Sequence, residues 1–157
     1  MTDQDRDPDP PREPGDARRL LGPLGVGRTV LIAEDIEEHR YLYVHVLRHA
    51  GYRVLEASDG ERAVALAREQ RPDAIVLDLG LPIIDGFQVM HLLKSNPATR
   101  SIPIIAVTVH ASATDVARTS EFGCELHMAK PALPMEVLEA VHRALGLLSK
   151  VEDDAAI

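Results

Sequence analysis

The sequence predicts an α/β protein built on a doubly wound, five-stranded parallel sheet with five helices. Short runs of apolar, mostly β-branched residues alternate with longer segments whose apolar residues recur at helical spacing. The third run, Ala74–Leu77, is apolar without alternation, which is typical of a strand covered by helices on both faces. Strands that alternate with helices in this way pair in parallel through right-handed crossovers.

The elements can be placed in order along the chain. The strands are predicted at Thr29–Ala33, Arg53–Ala57, Ala74–Leu77 and residues 102–108 and 125–128. The helices are predicted at residues 36–50, at Gly60–Gln70 after Ser58 or Asp59, from Asp85 onward, and at residues 112–122 and 134–148. Helical spacing selects the inner face of the first helix as Leu42, Tyr43, Val46 and Leu47, and that of the last as Leu138, Val141 and Leu145.

Residues 1–27 differ in composition from the rest of the chain. They hold five of the 11 prolines and a near-balanced mix of acids and arginines. Such a composition does not offset the entropy lost on ordering, so we predict a disordered, proline-rich leader. Its apolar residues Leu20, Leu21, Leu24 and Val26 are its one plausible contact with the domain. The domain is then predicted to span residues 28–149, followed by an acidic tail at residues 150–157.

The composition narrows the classes of function. A net charge of −8 argues against non-specific binding to nucleic acid or to anionic membranes. The single cysteine cannot form an internal disulfide, and no Cys/His cluster has the spacing of a zinc site. The sequence shows no signal peptide and no run of about 18 apolar residues, so we predict a cytoplasmic protein without a membrane span.

Polar residues accompany the ends of four predicted strands. They are Glu34 and Asp35 after the first strand, Asp78 after the third, Thr108 at the end of the fourth and Lys130 after the fifth. Because the carboxyl ends of parallel strands open on one edge of a sheet, we expect these side chains to share one cleft. Taken alone, Asp78 could equally end its strand and cap a turn.

The charges of this cleft indicate its chemistry. Three crowded carboxylates repel one another, and at least one pKa should rise unless a cation intervenes. Mg²⁺ suits the cleft because it takes one or two carboxylates and completes its shell with water and phosphate oxygens. Lys130 would provide a point charge for phosphate and Thr108 a hydroxyl donor. One carboxylate would remain free to attack phosphorus and form an acyl phosphate.

Four motifs, in this order and spacing, resemble those of response-regulator receiver domains. They are Glu34-Asp35, the segment DLGLPIIDG at residues 78–86, Thr108 after IIAV, and Lys130-Pro131. The resemblance covers residues 28–148, nearly all of the predicted domain. It implies the flavodoxin-like strand order 2-1-3-4-5.

The resemblance also implies a role for each polar residue. Asp78 would be the phosphoacceptor, and Thr108 and Lys130 would bind the phosphoryl group. The implied Mg²⁺ ligands are Asp35 and Asp78 directly, the Gly80 carbonyl, and Glu34 through water. The protein would be a phosphoacceptor with intrinsic phosphotransfer and autodephosphorylation at Asp78 rather than an enzyme. Its partners would be a sensor histidine kinase or a histidine phosphotransfer protein, and a downstream protein.

Three positions depart from the common family pattern. Val109 stands where a small residue is usual, His127 where an aromatic usually swings inward, and Leu81 where Met is frequent. We expect the β-branched Val109 to hinder access to the cleft. We expect phosphorylation to shift His127 incompletely, because an inward imidazole needs hydrogen-bond partners.

Two other classes of protein need residues that this sequence lacks. An Asp-nucleophile phosphohydrolase needs a second Asp where Gly80 stands, and a flavin carrier needs a Ser/Thr/Gly-rich loop where the sequence has EDIEEHR. A free-standing regulator and the receiver portion of, or relay partner to, a hybrid histidine kinase both remain open. Outside the motifs, we place His39, His45, His49 and His142 on helix surfaces, His110 at the cleft rim, His127 on an edge strand and Cys124 in the core.

Overall fold

The computed structural model describes residues 23–148, which form a parallel sheet with helices on both faces. The strands are β1 (Thr29–Ala33), β2 (Arg53–Ala57), β3 (Ala74–Leu77), β4 (Ile104–Thr108) and β5 (Leu126–Ala129). The helices are α1 (Glu37–His49), α2 (Gly60–Gln70), α3 (Gly86–Lys94), α4 (Ala113–Glu121) and α5 (Pro134–Ala144). The strand order is β2-β1-β3-β4-β5, which confirms the predicted doubly wound α/β fold.

The register of the sheet brings the strand ends together. Ala33, the last residue of β1, lies opposite Ala57 of β2 and Leu77 of β3. In the other half of the strand order, Thr108 of β4 lies opposite Ala129 of β5. The segments that follow these strands therefore leave the sheet at one edge, where a shared cleft can form.

The core has two layers, because successive strand residues face opposite sides of the sheet. All four residues of β3 are buried, as predicted for a strand covered on both faces. One layer packs against α2 and α3, and the other packs against α1 and α5. The largest fully buried side chains are aliphatic or Met, which accords with the low aromatic content of 3%.

Three helices begin at side-chain caps. Asp59, rather than Ser58, caps α2 by accepting a hydrogen bond from a backbone N–H at 2.7 Å. Asp85 and Ser112 cap α3 and α4, and in both helices the reciprocal bond completes a capping box. All three capped helices follow the carboxyl ends of strands, namely β2, β3 and β4.

The structure corrects three predicted boundaries. α5 ends at Ala144 rather than at residue 148, because Gly146 adopts a left-handed φ of 69° just beyond it. β4 begins at Ile104 rather than at residue 102, and the intervening Pro103 has no N–H to donate to a neighbouring strand. β5 is shifted by one residue toward the C-terminus. No helix among residues 23–148 is both long and apolar enough to cross a membrane.

The buried face of α1 differs from the predicted one. Leu42, predicted to face the core, is 49% exposed, whereas Val44 is buried. The buried stripe is formed by Tyr43, Val44 and Leu47. Leu42 lies one helical position before this stripe, which corresponds to a rotation of about 100° around the helix axis.

Residues 23–27, which composition assigned to the leader, form a turn against the domain. The Gly25 N–H donates to the Ala50 carbonyl at 2.8 Å. A Cβ at residue 25 would lie 2.6 Å from the ring of Tyr52, so only glycine fits there. Ordered structure thus begins before residue 28. Residues 1–22 of the predicted leader and the predicted tail at residues 150–157 lie outside the described residues.

A buried hydrogen bond joins Tyr52, the residue just before β2, to α5. The Tyr52 hydroxyl lies 2.6 Å from Nδ1 of His142, and both residues are buried. The prediction that His142 lies on the helix surface is therefore wrong, because residue 142 follows Leu138 by four positions and shares its inward face. Burial raises the pKa of Tyr52 to about 12.

We expect Tyr52→Phe to lower the free energy of unfolding at neutral pH by about 1–3 kcal/mol, because it removes one partner of a buried hydrogen bond. The unfolded phenol ionises near pH 10, whereas the folded one ionises near pH 12. The Tyr52 contribution is therefore complete below pH 10 and is lost as the pH rises through that window. In urea denaturation, the free energy of unfolding of Tyr52→Phe should therefore not show this loss at alkaline pH.

Tyr41→Phe is the matched control, because it removes a hydroxyl from a side chain that is 66% exposed. We expect it to change stability by less than about 0.5 kcal/mol. Equal losses in the two variants would contradict the role of the Tyr52–His142 bond.

Candidate functional site

The polar residues predicted at the strand ends lie together at the carboxyl edge of the sheet. Glu34, Asp78 and Thr108 are buried, whereas Asp35 is exposed. One carboxylate oxygen from each of Glu34, Asp35 and Asp78 lies within 4.8 Å of the other two. The expected cluster of three carboxylates is thus present in the structure.

Lys130 reaches into this cluster from the end of β5. Its Nζ lies 2.7 Å from Oε2 of Glu34 and 2.9 Å from Oδ2 of Asp78. The Lys130 side chain is only 6% exposed, so this ion-paired group is largely removed from water. The backbone supports it, because the Lys130 N–H donates to the Thr108 carbonyl at 2.9 Å. The Lys130–Pro131 peptide bond that follows is cis.

The loop after β3 holds the Asp78 carboxylate from its other side. The Gly80 N–H donates to Oδ1 of Asp78 at 3.0 Å. Gly86 allows this loop to fold tightly, since a Cβ there would lie 2.6 Å from the Asp78 carbonyl oxygen. Ile83, in the same loop, has a φ of 73°, which is strained for a β-branched residue. The two oxygens of Asp78 therefore accept from different partners, Gly80 and Lys130.

The pKa values of the two buried carboxyls move in opposite directions. Burial raises the pKa of Glu34, and the charge of Asp78 adds to this rise, against the hydrogen bond from Lys130. Burial also tends to raise the pKa of Asp78. Hydrogen bonds with Gly80, Lys130 and Thr108 outweigh burial, so the pKa of Asp78 is lowered. The site thus favours the ionised form of Asp78 more strongly than that of Glu34.

The ammonium group responds to the same charges. Burial alone would lower the pKa of Lys130, but its hydrogen bonds to Glu34 and Asp78 outweigh burial and raise that pKa. Lys130 is therefore held in its charged form, and its bonds to the carboxylates depend on that charge.

His39 also belongs to this site, which its sequence position did not indicate. His39 was assigned to the surface of the first helix, yet its Nδ1 lies 3.3 Å from Nζ of Lys130. The sequence carried no signal for this contact, because it depends on how far the Lys130 side chain reaches from the end of β5.

The positions that depart from the family pattern have different surroundings. Val109 is 72% exposed and Leu81 is buried. Nδ1 of His127 lies 2.9 Å from the Thr119 hydroxyl of α4, so His127 is more than a plain edge-strand residue. Its Nε2 is buried and, within residues 23–148, has no hydrogen-bond partner. Half of the imidazole's hydrogen-bonding capacity is thus satisfied by α4.

This fold and this cleft define the class of signalling domains known as receivers. Comparison with known proteins places the chain in the same class. The family model described as the response regulator receiver domain matches residues 30–142. The polar-differentiation response regulator DivK of Brucella anthropi is 36% identical over 119 residues, which cover 76% of this chain and 97% of DivK. The chain belongs to the response regulator receiver domain family of two-component signalling.

Solved structures agree with this membership. A response regulator from Chloroflexus aurantiacus is 32% identical with a TM-score of 0.71, and the match covers 76% of this chain and 98% of that one. The receiver domain of sensor histidine kinase PA1611 from Pseudomonas aeruginosa is 33% identical with a TM-score of 0.71, over 77% and 99% of the two chains. That receiver domain has a magnesium ion coordinated in its active site cleft.

We expect Lys130→Met to lower the free energy of unfolding by about 3–5 kcal/mol at pH 8, because it leaves two buried carboxyls without their cation. This loss of unfolding free energy should be smaller at pH 5. Without Lys130 the already raised pKa of Glu34 rises further, so the folded state gains a proton as the pH falls. Urea denaturation at the two pH values measures both effects.

Arg48→Met serves as the control, because it removes a cation from an exposed ion pair with Glu56. Its effect should stay below about 1 kcal/mol at both pH values. If Lys130→Met destabilised the protein equally at pH 5 and pH 8, the electrostatic role of Lys130 would be wrong.

Proposed function

We propose that Asp78 is the phosphoacceptor of this receiver domain. The observation that carries the proposal is the buried Asp78 carboxylate, which accepts from Lys130 and Gly80 and has a lowered pKa. A nucleophilic carboxylate must be ionised, and Asp78 is the buried carboxyl whose pKa is lowered. Lys130 lies where it can meet the charge of an incoming phosphoryl group.

The proposed reaction transfers a phosphoryl group to an Asp78 oxygen. In the transfer, the carboxylate oxygen forms a bond to phosphorus as the bond between phosphorus and the donor's leaving atom breaks. With acetyl phosphate as donor, acetate leaves with the bonding electrons, and no proton is gained or lost by Asp78. Hydrolysis of the resulting acyl phosphate by water returns Asp78 and inorganic phosphate. Thr108, which ends β4 in the same cleft, is a candidate donor to the phosphoryl oxygens.

The donor set of the cleft fits Mg²⁺ as the cofactor. Three carboxylates face one lysine, so the cluster keeps an excess of negative charge and offers only hard oxygen ligands. Asp35, which is exposed, and Asp78 are the proposed direct ligands, with the Gly80 carbonyl. A bound Mg²⁺ would neutralise charge on the transferred phosphoryl group.

Glu34 fits an outer role better than direct binding to a metal. Its Oε2 accepts from Lys130 at 2.7 Å, and its Oε1 accepts from the Ile36 N–H at 3.2 Å. Both oxygens are therefore engaged by the protein. Both Asp78 oxygens are engaged as well, by Gly80 and Lys130, so what separates the two residues is the pKa, which is raised for Glu34 and lowered for Asp78. The outer role of Glu34, through water, is the one that the family resemblance implies.

We propose that the phosphoryl donor is a histidine of a sensor kinase or of a phosphotransfer protein. A groove of about 460 Å³ beside Lys130 supports docking of a protein donor. It is lined by apolar side chains that include the exposed Leu42, Val109 and Leu133. Val109 thus lies where a donor would approach. Relatives of this chain include both regulators and receiver domains of histidine kinases, and either context suits this site.

We expect acetyl phosphate to add one phosphoryl group to the wild-type protein in the presence of Mg²⁺, as measured by intact mass. Addition of EDTA should abolish the adduct, and Asp78→Asn should not form it, because an amide is not an adequate nucleophile. Asp59→Asn is the control, since Asn also caps helices and residue 59 lies outside the carboxylate cluster. A phosphoryl adduct on Asp78→Asn would overturn the assignment of Asp78.

A further inference from the structure

His39 makes a contact that the family motifs do not assign. It belongs to the first turns of α1, and its Nδ1 lies 3.3 Å from Nζ of Lys130. A lysine ammonium group can only donate hydrogen bonds, so Nδ1 of His39 must accept. Nδ1 also lies 3.8 Å from Oε1 of Glu34, which is beyond hydrogen-bond distance, so the contact with Lys130 is the one that bears on the tautomer. A neutral imidazole that accepts at Nδ1 carries its proton on Nε2.

With His39, the Lys130 ammonium has as many acceptors as it has protons. Its three N–H groups face Oε2 of Glu34, Oδ2 of Asp78 and Nδ1 of His39. Since the Lys130 side chain is only 6% exposed, water has little access to replace a missing acceptor. The three acceptors together fix the rotation of the ammonium group about its Cε–Nζ bond.

We propose that His39 is a positioning residue, which orients the Lys130 ammonium toward Asp78. The proposal rests on the proposed phosphoacceptor role of Asp78. When a phosphoryl group occupies an Asp78 oxygen, Glu34 and His39 still accept from two of the three Lys130 donors. The third donor is then directed at the phosphoryl oxygens. Without His39, the ammonium can turn between orientations, and fewer of them point a donor at the phosphoryl group.

Because His39 is partly exposed, a positioning role can be distinguished from a role in packing. The His39 side chain is 41% exposed, so its replacement removes little packing. His45 lies on the same helix, is also exposed, and stacks on Tyr41 away from Lys130. It offers a matched control for the loss of an imidazole from α1.

The first measurement reports on Lys130 without any phosphorylation. The chain contains three lysines, Lys94, Lys130 and Lys150, so a ¹⁵N-lysine spectrum detected through the Hε protons is simple, and Lys130→Met assigns the signal. We expect His39→Leu to shift the Lys130 Nζ resonance and His39→Asn to return it toward the wild-type position, because the amide oxygen of Asn can replace Nδ1 as acceptor. His45→Leu should leave the resonance in place. A Lys130 resonance unmoved by His39→Leu would refute the inference while leaving the assignment of Asp78 intact.

The second measurement is the rate of phosphorylation by acetyl phosphate at saturating Mg²⁺. His39→Leu should lower the maximal rate by about three- to tenfold, as expected for one hydrogen bond that acts in the transition state. The donor concentration at half-maximal rate should change less, and His39→Asn should recover most of the rate. His45→Leu should react as the wild type does. Equal rates for His39→Leu and wild type, or equal losses for His39→Leu and His39→Asn, would overturn the positioning role. Failure of the wild-type protein to react would instead contradict the phosphoacceptor role of Asp78.

Discussion

The site depends on one buried ammonium group placed between two buried carboxylates. Nζ of Lys130 bonds to both Glu34 and Asp78, and all three side chains are less than a tenth exposed. A buried carboxylate without a cation would take up a proton, so Lys130 keeps Asp78 ionised in surroundings that disfavour charge. The same ion pair connects the ends of β1, β3 and β5, and thereby links the chemistry to the sheet.

The sheet creates the electrostatic problem that Lys130 solves. The four residues of β3 and the last four of β1 are buried between helix layers, and each of these strands delivers its carboxylate at the edge of that apolar core. Tight backbone at Gly86 and the N–H of Gly80 then orient Asp78. A nucleophile and a cation-binding cluster thus arise where aliphatic strands end in acids.

Much of this arrangement could be predicted from the sequence. Apolar runs separated by turn residues predicted the five strands, and the rule that parallel strands end at one edge predicted the convergence of Asp78 with Thr108 and Lys130. The strand order needed more than periodicity, because alternating strands and helices are compatible with several orders. It came from the resemblance carried by the motifs.

What could not be predicted depends on how side chains pack and reach. Apolar periodicity does not fix the rotation of a helix, and so it placed Leu42 instead of Val44 in the core. A polar residue on an amphipathic helix suggests exposure, yet His142 lies on the inward face of α5, where the Tyr52 hydroxyl pairs with it. The contact of Lys130 with His39 depends on the path of one flexible side chain, which no pattern of residues specifies.

A pH titration of the folded protein tests the role of Lys130. The side-chain carboxyl ¹³C resonances report the pKa values of Glu34 and Asp78. Lys130 and Gly80 should make Asp78 titrate below its ordinary value of 3.8, whereas burial should make Glu34 titrate above its ordinary value of 4.5. Lys130→Met should raise the pKa of Asp78. A pKa of Asp78 above that of Glu34, or a pKa of Asp78 unaffected by Lys130→Met, would contradict this role of Lys130.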